Sequence, residues 1–203
     1  KRHGEVSQEM FPGYPIDSIT NGVHSTTWTC ASFRRLYDRR IPGWAKDPAT
    51  LRHAVRIPRE EVWQAHVEAK VALIDEVRRR TGVALDPGAL TVGFARRATE
   101  YKRAALVFRD PARLAEIRRR VGPLQLVFAG KAHPRDEPGK ALIRRVFSAA
   151  ASLTGEVAVV YLEDYGLELA KLVTSGVDLW LNTPLRPLEA SGTSGMKAAH
   201  NGI

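Results

Sequence analysis

Glu189 to Ile203 holds the densest group of residues able to do chemistry in this chain: Glu-Ala-Ser-Gly-Thr-Ser-Gly-Met-Lys-Ala-Ala-His-Asn-Gly-Ile. Two glycines flank small hydroxyl residues in Ser191-Gly192-Thr193-Ser194-Gly195, so backbone N–H groups can approach a ligand with no Cβ in between. A helix through Met196, Lys197, Ala198 and Ala199 would begin beside those amides. The unpaired N–H groups and the dipole of a first helical turn favour an anion. Thr193 and Lys197 stand four residues apart and share a face once that helix has begun, and Asn201-Gly202 supplies a stop. The same composition also suits a plain tight turn, so local chemistry alone leaves both readings open.

The elements that must position this stretch follow from hydrophobic patterning. Val177-Asp178-Leu179-Trp180-Leu181-Asn182 predicts a buried strand, and Thr183 to Leu188, with Pro184 and Pro187, a loop. Upstream, strands over 90–94, 124–128 and 157–162 alternate with helices over 104–120, 140–151 and 167–174. Short, continuously apolar strands separated by helices predict an α/β fold with a doubly wound parallel sheet covered on both faces.

In such sheets, ligands bind at the carboxyl ends of the strands. The four strands end in Ala95-Arg96-Arg97-Ala98-Thr99-Glu100-Tyr101-Lys102-Arg103, in Ala129-Gly130-Lys131-Ala132-His133-Pro134, in Glu163-Asp164-Tyr165 and in the Gly/Ser loop. All four polar clusters fall on one edge. That convergence predicts a site, and its cations predict an anionic ligand.

Ahead of the alternating region, a long helix is predicted from Arg59 to Arg80 and is ended by Gly82. Trp63 and His66 are expected to face the core. Phe33 to Trp44 mixes aromatic and basic residues and is broken by Pro42-Gly43. Lys1 to Asp17 is polar and turn-rich, with Pro12, Gly13 and Pro15, and predicts an irregular tail. Asn21-Gly22 predicts a turn that displays side chains at its corner.

Composition narrows the function classes. The chain has 203 residues, 44% of them hydrophobic, which is ordinary for a globular protein with a sizeable core. The net charge is +9, from 31 Lys+Arg against 22 Asp+Glu, which raises nucleic acid as a partner. Yet Arg78-Arg79-Arg80 and Arg118-Arg119-Arg120 fall at predicted helix ends, where cations complement the dipole. No aromatic interleaving supports single-strand binding, so nucleic acid is set aside. No apolar run approaches the roughly 18 residues of a membrane span. The single cysteine, Cys30, excludes an internal disulfide and fits packing in a reducing, cytoplasmic setting. No metal site is assigned.

Glu189-Ala-Ser-Gly-Thr-Ser-Gly-Met-Lys197 resembles the pyridoxal-phosphate lysine segment of the α-glucan (glycogen, starch, maltodextrin) phosphorylases, and most of all the compact bacterial and archaeal type, which has a similar Asn-Thr-Pro before it. Thr20-Asn21-Gly22-Val23-His24 with Thr27-Trp28 is similar to a second segment of that type. Each strand end matches in order, so the resemblance covers nearly everything from Ile19 onward. It implies an internal fragment of a two-domain GT-B glycosyltransferase architecture. Residues 1–20 would be the tail of an N-terminal domain, 21–88 the cleft-crossing segment and long helix, and 89–203 a partial C-terminal Rossmann-like domain.

Residue by residue, the resemblance implies pyridoxal 5'-phosphate on Lys197 through a Schiff base. Arg96, Thr193 and Ser194 match the cofactor-phosphate site, and Tyr165 an aromatic beside the cofactor ring. Arg97, Lys102 and Tyr101 match ligands of the substrate phosphate. Glu189, Ser191, Gly192 and Asn21 match contacts to glucose hydroxyls. The implied reaction is reversible phosphorolysis of an α-1,4-glucan by inorganic phosphate to α-glucose 1-phosphate, with retention of configuration. Thr99, Glu100 and His200 depart from the usual pattern, and His24 and His200 are left without a role. A nucleotide-sugar glycosyltransferase, a pyridoxal-phosphate aminotransferase and an inactive glucan-binding relative are the competing readings. They differ, respectively, in lacking a covalent aldehyde cofactor, in needing an acid on the pyridine nitrogen, and in binding glucan without phosphate dependence.

Overall fold

The computed structural model of the chain describes residues 2–203, with side chains from residue 3 onward. A four-stranded parallel sheet forms its centre: β1 (Leu90–Ala95), β2 (Leu124–Ala129), β3 (Ala158–Leu162) and β4 (Leu179–Trp180), in the order β3-β2-β1-β4. β1 and β2 run in register from Leu90 opposite Leu124 to Ala95 opposite Ala129, and β2 and β3 from Gln125 opposite Ala158 to Ala129 opposite Leu162. The helices are α1 (Arg2–Met10), α2 (Ser25–Trp28), α3 (Ala31–Arg40), α4 (Arg59–Thr81), α5 (Pro111–Val121), α6 (Glu137–Ser152), α7 (Leu167–Gly176) and α8 (Thr193–Ala199).

The sheet is covered on both faces, as the apolar strands require. β2 divides its side chains between two cores. Val127 and Ala129 pack with Leu73 and Val77 of α4 and with Leu169 and Val173 of α7. Leu126 and Phe128 pack with Phe108, with Leu114 of α5 and with Val146 of α6. A third cluster joins Phe33, Leu36 and Tyr37 of α3 to Trp44, Ile57 and Ala65.

α4 runs one residue beyond the predicted end. It carries Glu60 and Glu61 in its first turn, the three arginines in its last, and closes on Gly82, whose N–H returns to Arg78 O. Arg118, Arg119 and Arg120 likewise occupy the last turn of α5, the solvated helix ends that dipole complementarity anticipates.

Four expectations need correction. The single helix over 104–120 is a short 3-10 turn, Ala104–Phe108, followed by α5. Asp110 accepts from Arg113 N at 2.8 Å and Pro111 opens the new helix, so a capping pair interrupts what apolar periodicity alone would join. The strand over 177–182 is reduced to Leu179–Trp180, although Asp178 N–H and Leu181 N–H still donate to Thr91 O and Gly93 O, each at 2.8 Å. The irregular tail contains α1, because its prolines begin only after Met10 and the one earlier glycine, Gly4, is accommodated within the helix; Gln8 then pins the following turn, accepting from Ile16 N at 2.9 Å. Trp63 does not face the core: it stands near the start of α4 and is 61% exposed.

His66, by contrast, is buried, and so is Lys70 one turn later. Both bind Asp178 at the entrance to β4, His66 Nε2 at 2.7 Å from Oδ1 and Lys70 Nζ at 2.6 Å from Oδ2, while Thr91 N–H donates to Oδ2 at 2.7 Å. Burial alone would raise the Asp178 carboxyl, but these three donors overcome it and hold the pKa at about 2. One carboxylate thereby fixes α4, β1 and β4 together.

Candidate active site

The carboxyl ends of β1 and β4 deliver the charged residues. Arg96 follows β1 directly, and its backbone is crossed so closely by the end of β2 that a Cβ at Gly130 would collide with Arg96 O. A glycine is what lets the two strand ends approach. The Arg96 guanidinium is buried, donates to Asn182 Oδ1 at 2.7 Å after β4, and pairs with Glu189 Oε1. Lys102, in the 3-10 turn Glu100–Lys102, is also buried and donates from Nζ to Glu189 Oε2 at 2.9 Å. Its ammonium lies 4.8 Å from the Tyr101 ring centroid, and Tyr101 O accepts from Leu185 N–H at 2.7 Å, tying this turn to the loop before Glu189.

Two buried cations therefore share one carboxylate that is 16% exposed. Burial would raise the Glu189 carboxyl, but the Lys102 hydrogen bond and the Arg96 charge outweigh it and lower its pKa. Such a group is ionised near neutral pH and accepts hydrogen bonds only.

The glycine-rich loop places the rest. Gly192, at φ 66°, caps α8 in a left-handed conformation that a Cβ disfavours, and Thr193 opens the helix. Ser191 Oγ accepts from Asn21 Nδ2 at 2.7 Å, bringing the segment before α2 onto the loop. Ser194 Oγ accepts from Trp180 Nε1 at 3.3 Å. Lys197 Nζ lies over the ring of Trp28, 3.6 Å from its centroid, and burial lowers its pKa. Tyr165, after β3, donates from Oη to Ala95 O at 3.1 Å beside Arg96, and burial pushes its pKa up to about 12, so it stays a neutral donor.

Of the sequence-derived candidates, Arg96, Lys102 and Glu189 meet directly, and so do Asn21 and Ser191. Arg97 is exposed and its side chain joins none of the ion pairs among the described residues. Three participants had been given no role. Asn182 holds Arg96, and its signal was a polar residue at the end of an apolar run. Trp28 covers Lys197, and its signal was the aromatic that closes the Asn21-Gly22 segment. His200, unassigned before, lies with Nε2 2.8 Å from Ser25 Oγ and Nδ1 2.8 Å from Met196 O.

The donor set suits a phosphorylated aldehyde. A partly buried amine of lowered pKa can form a covalent link, two aromatic residues lie near it or near Arg96, and buried cations can neutralise phosphate. Among the described residues no helix is long and apolar enough to cross a membrane.

Residues 7–203 match the family model described as carbohydrate phosphorylase. The chain is 42% identical over 231 residues to a glycogen phosphorylase of Aquifex aeolicus, covering 100% of this chain and 33% of that protein. It is 40% identical over 229 residues to a maltodextrin phosphorylase of Thermococcus litoralis, covering 100% of this chain and 28% of that protein. A glycogen phosphorylase of Mycobacterium bovis is 38% identical over 229 residues, covering 98% of this chain and 26% of that protein. The chain thus spans a third or less of the length of these relatives, and it belongs to the carbohydrate phosphorylase family.

Proposed function

We propose that the full-length protein is an α-1,4-glucan phosphorylase that transfers a terminal glucosyl unit reversibly to inorganic phosphate, giving α-glucose 1-phosphate, with pyridoxal 5'-phosphate tethered to Lys197. The observation that carries this reading is the pairing of two buried cations, Arg96 and Lys102, around Glu189 at the strand ends from which the Lys197 helix follows.

Unit charges about 4 Å apart repel by roughly 4 kcal/mol at an effective dielectric of about 20, so a site that would hold both a cofactor phosphate and a substrate phosphate needs cations. In this reading Arg96 offsets that charge on the cofactor side, together with the hydroxyls of Thr193 and Ser194. Lys102 and Arg97 address the substrate phosphate, with Tyr101 beside them. Glu189, held ionised, accepts hydrogen bonds from glucose hydroxyls, while Asn21, Ser191 and Gly192 line the same sugar. The fixed charges need no reorganisation as negative charge builds up during transfer. The cofactor, when bound, supplies a phosphate able to act as general acid and base.

The test is incubation of the full-length protein with glucan and inorganic phosphate. α-Glucose 1-phosphate should form, and its formation should require both phosphate and the cofactor. A protein that instead transfers glucose from a nucleotide sugar, with no phosphate requirement, would be a glycosyltransferase of the competing class.

A further inference from the structure

The end of α8 is tied to the α2–α3 connection by one side chain. Asn201 is 0% exposed, and both of its amide protons and its carbonyl oxygen are engaged. Nδ2 donates to Trp28 O at 2.8 Å and to Lys197 O at 3.0 Å, and Oδ1 accepts from Cys30 N–H at 2.8 Å. The two carbonyls belong to the residues whose side chains meet, with Lys197 Nζ 3.6 Å from the Trp28 ring centroid. One NH2 group therefore sets the separation of the two backbones that carry the ammonium and the ring.

A second tie lies one residue earlier. His200 Nδ1 faces Met196 O at 2.8 Å, and a carbonyl can only accept, so Nδ1 carries the proton. In the neutral ring Nε2 then accepts from Ser25 Oγ at 2.8 Å, linking α8 to the first residue of α2. Tyr37 Oη donates to His200 O at 3.0 Å, adding α3 to the same junction.

We infer that Asn201 is a positioning residue for Lys197, holding the Trp28 ring against the lysine side chain, with His200 as a second tie across α8 and α2. The inference rests on the assignment of Lys197 as the cofactor lysine. A lysine stem is long and flexible and its ammonium strongly hydrated. A ring face held over Nζ restricts the stem and displaces water from one side of the amine. Neither Asn201 nor His200 has to touch substrate or cofactor to do this, because both act through main-chain and hydroxyl groups of α2 and α8.

The test follows cofactor release from full-length holoenzyme into a carbonyl trap, read from the cofactor absorption band, in Asn201→Ala, His200→Leu, Trp28→Ala and the two doubles that combine Trp28→Ala with each tie variant. Asn201→Ala should speed release on the order of tenfold, within the range of couplings between contacting residues, and His200→Leu should speed it by less. In the Trp28→Ala background neither change should add, since each acts through that ring. Wild-type release rates in the single variants, or full additivity in the doubles, would overturn the inference. Should Asn201→Ala fail to fold, His200→Leu with and without Trp28→Ala gives the same decision. A wild-type protein that carries no cofactor on Lys197 would overturn the underlying assignment instead, and peptide mapping separates that result from the others.

Discussion

Lys102 Nζ and Glu189 Oε2 form a 2.9 Å ion pair across 87 residues of sequence. The sheet makes this possible, because β1 and β4 are neighbours and both end on the same edge. Arg96 completes the arrangement from the opposite oxygen of the same carboxylate. Breaking a buried pair by removing one partner is costly, since the other charge is left uncompensated. The three residues are therefore a structural unit that ties the ends of β1 and β4 together.

The cations are predicted to serve the anion and not the glucan. In the full-length protein, Lys102→Ala and Arg97→Ala should raise the KM for phosphate and for glucose 1-phosphate by roughly tenfold to a hundredfold, the worth of a charge-assisted hydrogen bond, with a much smaller change for glucan. Steady-state kinetics with each substrate varied in turn provide the check. Unchanged phosphate dependence in both variants would contradict the assignment.

Glu189→Gln keeps the shape but replaces an ionised acceptor with a neutral amide that also donates. Charge-assisted hydrogen bonds are about twice as strong as neutral ones, so kcat should drop while cofactor content, read by absorbance, stays normal. Loss of the cofactor would show instead that Glu189 matters by holding Arg96 and Lys102 in place.

Asp178 predicts a stability effect with a definite pH dependence. Its folded pKa of about 2 lies below the ordinary aspartate value, held there by His66, Lys70 and the Thr91 N–H against the opposing effect of burial. A depressed pKa contributes stability above the unfolded value and loses it as pH falls through the folded one. Asp178→Ala should cost roughly 3 kcal/mol or more near neutrality, as for other broken buried pairs. The gap to wild type should narrow from about pH 4 down to about pH 2. Denaturant unfolding across that window measures it, and a pH-independent gap would contradict the role given to the carboxylate.

The sheet was legible in the sequence because each strand is a short apolar run, and its carboxyl edge was legible because each run ends in polar residues. Asp110-Pro111 could have marked the break before α5, but apolar periodicity on both sides hid a cap that only local chemistry reveals. Trp63 shows the converse limit: helical spacing places it on the side of His66 and Lys70 without saying whether anything covers it there. The Asp178 cluster was not legible at all. Its members come from α4, β1 and the start of β4, and a lysine at helical spacing gives no sign that it is buried. The pairing of Trp28 with Lys197 likewise depends on how α2 meets α8, which no local pattern encodes.

The most direct measurement of the central claim is borohydride reduction of the full-length holoenzyme, followed by peptide mapping and assay of phosphate-dependent glucan cleavage. Reduction turns the C=N link at Lys197 into a stable secondary amine. If Lys197 is a tether and the proton chemistry runs through phosphate, the label should map to Lys197 and substantial activity should remain. An enzyme that must exchange its lysine link with substrate loses all turnover under the same treatment. Complete inactivation with the fold intact, or a label on a different lysine, would contradict the account.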